Sequence, residues 1–194
     1  MKGGSILVFQ RYLPWVRAVA LIAATTAVMC LPASAEAPVA EPEGYRMTDF
    51  RSPVPATLKG ARVVAAEEAR ALMEQKAVFI DVFPLPPKPP NLPAGTVWRD
   101  PSHESIAGAA WLANVGYGVV PPAVQGYFAE RLETLTGSDK ARTVVFFCLK
   151  NCWMSWNAAK RALEMGYRNV VWFPDGVDGW RDLDLPTAGL QPLP

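Results

Sequence analysis

Short apolar runs alternate with helix-like segments through the centre of the chain. The runs are rich in β-branched and aromatic residues and have the length of buried strands. The segments between them carry apolar residues at helical spacing. The predicted strands are 63–64, 77–82, 144–147 and 169–173, with a turn leading into a short strand over 105–112, and the predicted helices are 66–74, 123–135 and 155–165. This alternation predicts an α/β fold with a parallel sheet and helices on both faces.

Proline marks the segments outside this regular centre. The chain has 19 prolines among 194 residues. Because proline lacks an N–H and has a fixed φ, these segments are not expected to form regular structure. The pattern predicts a Pro-rich extended arm over 36–60, a domain over 61–185 containing a long Pro-rich loop at 83–101, and a tail over 186–194.

The first 35 residues have the pattern of a bacterial secretory signal. Three basic residues come first, an apolar run follows from Ala18 to about Leu31, and Ala33-Ser34-Ala35 forms a small-x-small cleavage site. Cleavage would leave a periplasmic chain that begins at Glu36, with no stable membrane anchor. A retained anchor is the alternative, but the apolar run is shorter than the ~20 residues that a membrane span needs.

Charge and motifs exclude several classes of function. The chain has 19 Lys and Arg against 18 Asp and Glu, so no basic surface for nucleic acid is expected. A Gly-rich phosphate loop, a Ser/His/Asp set and an HExxH helix are all missing from the sequence. Kinase, serine hydrolase and zincin activities are therefore unsupported, and no cofactor is predicted.

Cys148 is the leading candidate for catalysis. It directly follows the predicted strand 144–147, and helix-like sequence begins a few residues later. Ligands and catalytic groups collect at the carboxyl ends of parallel strands, where the next helix directs its N–H groups toward the loop. A thiol at this position is expected to ionise more easily than a free one. The alternative is an inert structural thiol.

Cys152 lies four positions further on and changes the expected chemistry. It can attack a persulfide or a sulfenic acid on Cys148, or form a disulfide if the two Cα atoms approach within about 7 Å. This pair favours dithiol/disulfide redox chemistry over simple sulfur storage. A permanent structural disulfide in an exported protein is the alternative, although a bridge across so small a loop gains little chain entropy.

Soft ligands leave a copper site open as a third possibility. Cys148 and Cys152 are followed by Met154, and His103 is the single histidine of the chain. Thiolates, a thioether and an imidazole suit Cu(I). A single loop histidine is more commonly solvated than bound to a metal. Trp153 and Trp156, which follow the cysteines, are expected to pack in the core or to shield the dithiol.

Five segments in order resemble the rhodanese superfamily, over about residues 61 to 182. They correspond to its hydrophobic-Asp strand, its I-P-G-A turn, its cysteine-bearing strand end, its A-A-x-x-L-x-x-x-G helix and its G-G-x-x-x-W closure. The segments are 78–81, 106–109, 144–148, 158–166 and 175–180. The sequence departs from sulfur-transferring members after Cys148, where Leu149-Lys150-Asn151-Cys152-Trp153 replaces a Gly-containing loop that often carries Arg.

The resemblance implies a site and a setting. A rhodanese-type site implies a thiolate at Cys148 below a loop of Leu149, Lys150, Asn151 and Trp153, whose backbone N–H groups hold an anionic persulfide. His103 and Asp81 would support it, Asp81 as a general base or by hydrogen-bonding to loop backbone.

The export signal, the Cys-x-x-x-Cys-Trp sequence and the segment 172–176 resemble an exported family associated with pyrroloquinoline-quinone-dependent catabolism and named for a CxxCW motif. This implies an accessory role beside a periplasmic quinoprotein dehydrogenase or its cytochrome. A non-enzymatic binding or maturation factor, with or without copper, is the alternative.

Overall fold

A five-stranded parallel sheet forms the centre of the folded domain. The computed structural model describes residues 1, 38–99, 101 and 103–194, and Ala37–Pro194 form one compact unit. In chain order the elements are β1 (Arg62–Val63), α1 (Ala66–Glu74), β2 (Val78–Asp81), β3 (His103–Ile106), β4 (Ala110–Trp111), α2 (Pro122–Thr136), β5 (Val144–Phe147), α3 (Trp153–Glu164), β6 (Val170–Phe173), α4 (Gly176–Arg181) and β7 (Thr187–Leu190). The sheet order is β1–β6–β5–β2–β4, so β5 is central.

The side chains of β5 show why helices cover both faces of this sheet. Val144 and Phe146 pack into one apolar cluster with α2 and α3, whereas Val145 and Phe147 pack into a second cluster with α1 and α4. All four are fully buried. A continuous apolar run is the pattern of a strand that is buried on both faces. The predicted α/β class, with a mostly parallel sheet flanked by helices, is confirmed.

A second, two-stranded sheet was not predicted. β3 pairs antiparallel with β7, from His103 opposite Leu190 to Ile106 opposite Thr187. β3 lies partly in the predicted loop and turn, and β7 lies in the segment predicted as a tail. Neither strand has the long apolar run from which a strand is predicted. The pair is held by backbone hydrogen bonds between segments that are far apart in the chain.

The closing segment forms a helix that is not among the predicted ones. α4 spans Gly176–Arg181, with Asp178 inside it. The glycines at 176 and 179 and the preceding Pro174 are turn-forming residues, which obscured this single short helix. The helix α3 also begins earlier than predicted, at Trp153 rather than Ser155.

The Pro-rich arm packs along α3. Arg46 pairs through its backbone with the side chain of Asn157, and the indole N–H groups of Trp153 and Trp156 donate to the carbonyls of Pro53 and Thr57. Side chains of the helix thus satisfy backbone groups that an irregular segment cannot pair within itself. The predicted signal over 1–35 falls outside the described residues, apart from Met1. Among the described helices, none has the length and apolar character to cross a membrane.

Candidate functional site

The two cysteines lie together at the carboxyl end of β5. Cys148 follows the last residue of the strand, and Cys152 immediately precedes α3. Both are free thiols and both are buried, with exposed fractions of 0 % and 2 %. Asp81, which ends β2, is in register with Phe147 and therefore lies beside the start of this loop.

The helix α4 holds the cysteine loop from the other side. The N–H of Val177 donates to the carbonyl of Cys148 at 2.9 Å, and a carboxylate oxygen of Asp178 accepts from the N–H of Lys150 at 2.9 Å. Gly176 has φ +52°, and a Cβ there would lie 2.0 Å from the Cys148 carbonyl oxygen. Only glycine fits at this position, because both the backbone conformation and the close approach exclude a side chain.

The two thiols interact directly and differ in acidity. Burial raises the pKa of Cys148 well above its ordinary value, and the thiol interaction with Cys152 adds to that rise. The same interaction lowers the pKa of Cys152 to about 7, helped by the backbone N–H groups of Met154 and Leu149 and by the charge of Arg51. The expectation that Cys148 ionises easily is therefore wrong. Its position at the strand end is buried away from water, and the N–H groups and the positive charge that stabilise a thiolate act on Cys152.

Cys152 opens onto an apolar cavity. The cavity has a volume of about 340 Å³ and is lined by Phe50, Arg51, Phe83, Pro84, Tyr117, Leu149, Cys152 and Met154. Cys148 is not among these residues. The Pro-rich arm supplies Phe50 and Arg51, and Arg51 forms an isolated antiparallel bridge with Cys152. The residue with the more acidic thiol is thus also the one of the two cysteines that lines this cavity.

Asp81 supports the wall of the cavity and does not face it as a free base. One carboxylate oxygen accepts from the N–H of Phe83 at 2.8 Å, and the other pairs with Ser105 and with Nε2 of His103, the latter at 2.7 Å. The ring of His103 stacks on Phe83 with centroids 4.3 Å apart. Of the two predicted roles for Asp81, the structure places it in hydrogen bonding to loop backbone.

The copper ligands suggested by the sequence are only partly brought together. Met154 and Cys152 line the same cavity, whereas His103 is paired with Asp81 behind Phe83. Across the described residues, no group of three or more His, Cys, Asp and Glu side chains is arranged to hold a metal ion.

The predicted loop residues have separate positions. The N–H of Leu149 faces the sulfur atoms, whereas the Lys150 ammonium points to Asp175 at 3.9 Å and Asn151 is exposed with φ +55°. Trp153 and Trp156 are buried and pack edge to face with ring centroids 5.6 Å apart. Trp153 therefore anchors the arm through its indole N–H and does not line the cavity.

Comparison with known proteins identifies the family. Residues 65–183 match the family model of the rhodanese-like domain. The chain belongs to the rhodanese-like domain family. A solved structure with a similar fold is the polysulfide-sulfur transferase homodimer from Wolinella succinogenes, with 17 % sequence identity and a TM-score of 0.42, over 66 % of this chain and 79 % of that one. Among curated proteins, none matches this chain.

Sequence reasoning missed the residues that precede the rhodanese-like domain. Arg51 and Phe50 line the cavity, yet both lie before the matched residues 65–183. Phe50 and Tyr45 are the two aromatic residues of the arm, and this was the available signal for the packing of Phe50. Nothing in the sequence pattern distinguished Arg51 from other exposed arginines.

Proposed function

We propose that this rhodanese-like protein handles sulfur through a two-thiol site, in which Cys152 is the nucleophile and Cys148 is the resolving thiol. The observation that carries the proposal is the direct interaction of the two free thiols with opposite pKa shifts, with the acidic one lining a cavity. A nucleophilic cysteine needs thiolate character and access. Cys152 has both, and Cys148 is placed to react only with what Cys152 has received.

The reaction proceeds in two displacements. The Cys152 thiolate attacks the outer sulfur of a sulfane donor, so that a Cys152 persulfide forms and the remainder of the donor leaves as an anion. Cys148 then loses its proton and attacks the inner sulfur of that persulfide, which forms the Cys148–Cys152 disulfide and releases hydrosulfide. A thiol reductant restores both thiols through ordinary exchange.

The setting proposed for this chemistry is the periplasm, beside a quinoprotein alcohol-oxidation system. The secretory pattern of the first 35 residues and the Cys-x-x-x-Cys-Trp resemblance support this setting. The partner would be a quinoprotein dehydrogenase or its cytochrome. A second candidate is a Cu(I)-carrying maturation factor, favoured by the one observation that Cys152 and Met154 share a cavity.

Intact-mass analysis of cysteine variants tests the thiol roles. All proteins compared carry Cys30→Ser, and wild type here means that both Cys148 and Cys152 are present. Each reduced protein is treated with inorganic polysulfide, and protein mass and released sulfide are measured. We expect wild type to release sulfide and become a disulfide, and Cys148→Ser to retain one added sulfur atom. Cys152→Ser should gain none. A persulfide on Cys148 in Cys152→Ser that forms as fast as the one on Cys152 would overturn the assignment.

Two further measurements test the proposed quinoprotein partner and the Cu(I)-carrying candidate. Quinoprotein alcohol dehydrogenase activity in periplasmic extracts should fall when the gene is deleted and return with wild type but not with Cys152→Ser. Unchanged activity would refute the proposed partner. Competition with a Cu(I) chelator, comparing wild type with Met154→Leu, would support the copper candidate only if the substitution weakens Cu(I) binding.

A further inference from the structure

The cavity over Cys152 combines apolar walls with one positive charge. Its lining is aromatic and aliphatic apart from Arg51 and the thiol. We infer that it binds an organic anion whose reactive sulfur–sulfur bond is attached to an apolar body, and that Arg51 selects the negative charge. This inference rests on the proposed thiol chemistry and names the class of substrate that reaches it.

Arg51 has a fixed backbone, and the charge of its side chain has no ion-pair partner within the described residues. Its backbone is fixed by the bridge to Cys152, while its side chain forms neither an ion pair nor a side-chain hydrogen bond within the described residues. Neighbouring cations differ, since Arg46 pairs with Asp49 and lies over Trp153, and Lys150 pairs with Asp175. Arg51 is therefore the cation at this cavity that is available to an incoming anion.

The walls favour a ligand with an apolar body over a small inorganic anion. Phe50 packs edge to face on Tyr117 with ring centroids 5.3 Å apart, and Phe83 is fixed by the stacked ring of His103. A volume of about 340 Å³ lies in the range of small-molecule sites, where apolar walls bury most of the ligand. An inorganic anion would leave most of these walls without contacts.

The arm and the rhodanese-like domain each supply residues that determine which ligand the cavity prefers. Arg51 and Phe50 come from residues before the family match, whereas Phe83, Leu149 and Cys152 come from within it. The family domain thus provides the thiols, and the arm provides the charge and one aromatic wall. Specificity is expected to change with the arm while the thiol chemistry is retained.

The exchange step balances for an organic disulfide. The Cys152 thiolate attacks one sulfur of R–S–S–R, so that a Cys152–S–S–R bond forms and R–S⁻ leaves. Cys148 gives up its proton and attacks the sulfur of Cys152, which forms the internal disulfide and releases a second R–S⁻. An R group with a carboxylate places its charge near Arg51 while its ring contacts the apolar walls.

Exchange rates with matched disulfides test this inference. The probes are dithiobis(2-nitrobenzoate), which is aromatic and anionic, dithiodipyridine, which is aromatic and neutral, and dithiodiglycolate, which is anionic and aliphatic. Rates are measured in a variant that carries Cys30→Ser and Cys148→Ser, so that Cys152 is the one cysteine left in the sequence, and are divided by the rate of free glutathione with the same probe. We expect the aromatic anion to react fastest on this scale.

Substitutions in the arm assign the preference to its residues. Arg51→Gln should reduce the anionic-to-neutral rate ratio about tenfold, as expected for the loss of one charge-assisted contact. The ratio is used because the substitution also raises the pKa of Cys152, which slows all probes. Phe50→Ala should reduce the aromatic-to-aliphatic ratio. Lys59→Gln removes an exposed arm charge that does not line the cavity and should leave both ratios unchanged.

The outcomes separate this inference from the proposed function. If Cys152 reacts but the ratio is the same in Arg51→Gln and its parent, the substrate class is wrong and the thiol roles stand. If no probe reacts at Cys152 while polysulfide still modifies it, the cavity does not admit organic ligands and the inference is again overturned. If neither reagent modifies Cys152, the proposed function itself fails.

Discussion

The side-chain amide of Asn157 pairs with both backbone polar groups of Arg46. Its Oδ1 accepts from the N–H at 2.9 Å, and its Nδ2 donates to the carbonyl at 2.9 Å and also to the carbonyl of Gly116. Asn157 is fully buried on α3. One side chain therefore fixes the part of the arm that leads to Phe50 and Arg51.

Replacing Asn157 with Ala should release the arm. The substitution removes three hydrogen bonds and leaves partly buried backbone groups unpaired, so we expect a loss of about 2 kcal/mol in the free energy of unfolding. Proteolytic cleavage between residues 38 and 58 should become faster. Asn169→Ala is the control, because Asn169 makes an exposed bond to Ala141. Equal cleavage rates in the two variants would contradict an anchoring role for Asn157.

Gly176→Ala should disrupt the support of the cysteine loop. A Cβ would collide with the Cys148 carbonyl, and φ +52° is strained for alanine. We expect a melting temperature many degrees lower and altered Cys152 reactivity. Gly126→Ala is the matched control, because a Cβ there meets open space within α2. This control should be stabilised by up to about 1 kcal/mol, and destabilisation of both variants to the same extent would refute the special role of Gly176.

The alkylation rate of Cys152 should rise with pH and reach half its maximum near pH 7. The reason is that the thiolate reacts, and the pKa of Cys152 is lowered to about 7. Cys148→Ser keeps a hydrogen-bond donor and should keep a similar midpoint. Cys148→Ala loses the donor and should move the midpoint to higher pH. Iodoacetamide rates between pH 5 and 10, measured by peptide mass, check this, and identical midpoints in the Ser and Ala variants would count against the thiol interaction.

Asp81→Ala should destabilise the domain more than Asp81→Asn. The buried carboxylate accepts from Phe83, His103 and Ser105, and alanine leaves these groups without a partner. We expect a loss of about 3 kcal/mol for alanine and less for asparagine, which keeps one acceptor oxygen. Denaturant unfolding gives the values. Asp139→Ala, which removes an exposed turn carboxylate, should cost much less, and an equal cost would argue against the Asp81 cluster.

The elements that the sequence predicted well are those with strong local patterns. β5 is an apolar run with both faces buried, and α2 ends at Thr136, where Gly137 with φ +65° caps it. The position of Cys148 at a strand end and the proximity of Cys152 followed from these elements. Their relative acidity did not follow, because it depends on burial and on N–H groups that only the folded loop brings together.

The features that were missed depend on partners far away in the chain. β3 and β7 have weak patterns of their own and are defined by each other. Arg51 gains its position from a bridge to Cys152, and Phe50 from packing on Tyr117. Single-sequence patterns describe the neighbourhood of a residue along the chain, so contacts of this kind leave little signal.

The packing of the arm on α3 has a consequence for the order of folding. The arm is held by side chains of α3, among them Asn157, Trp153 and Trp156, so it can dock only after α3 has packed on the sheet. We expect a stage at which the parallel sheet exists while Cys152 is still uncovered and open to oxidants. Stopped-flow refolding, with alkylation pulses at increasing delay, would show Cys152 becoming protected after Cys148 if this order is correct. A mature reaction centre would then be the last part of the molecule to assemble.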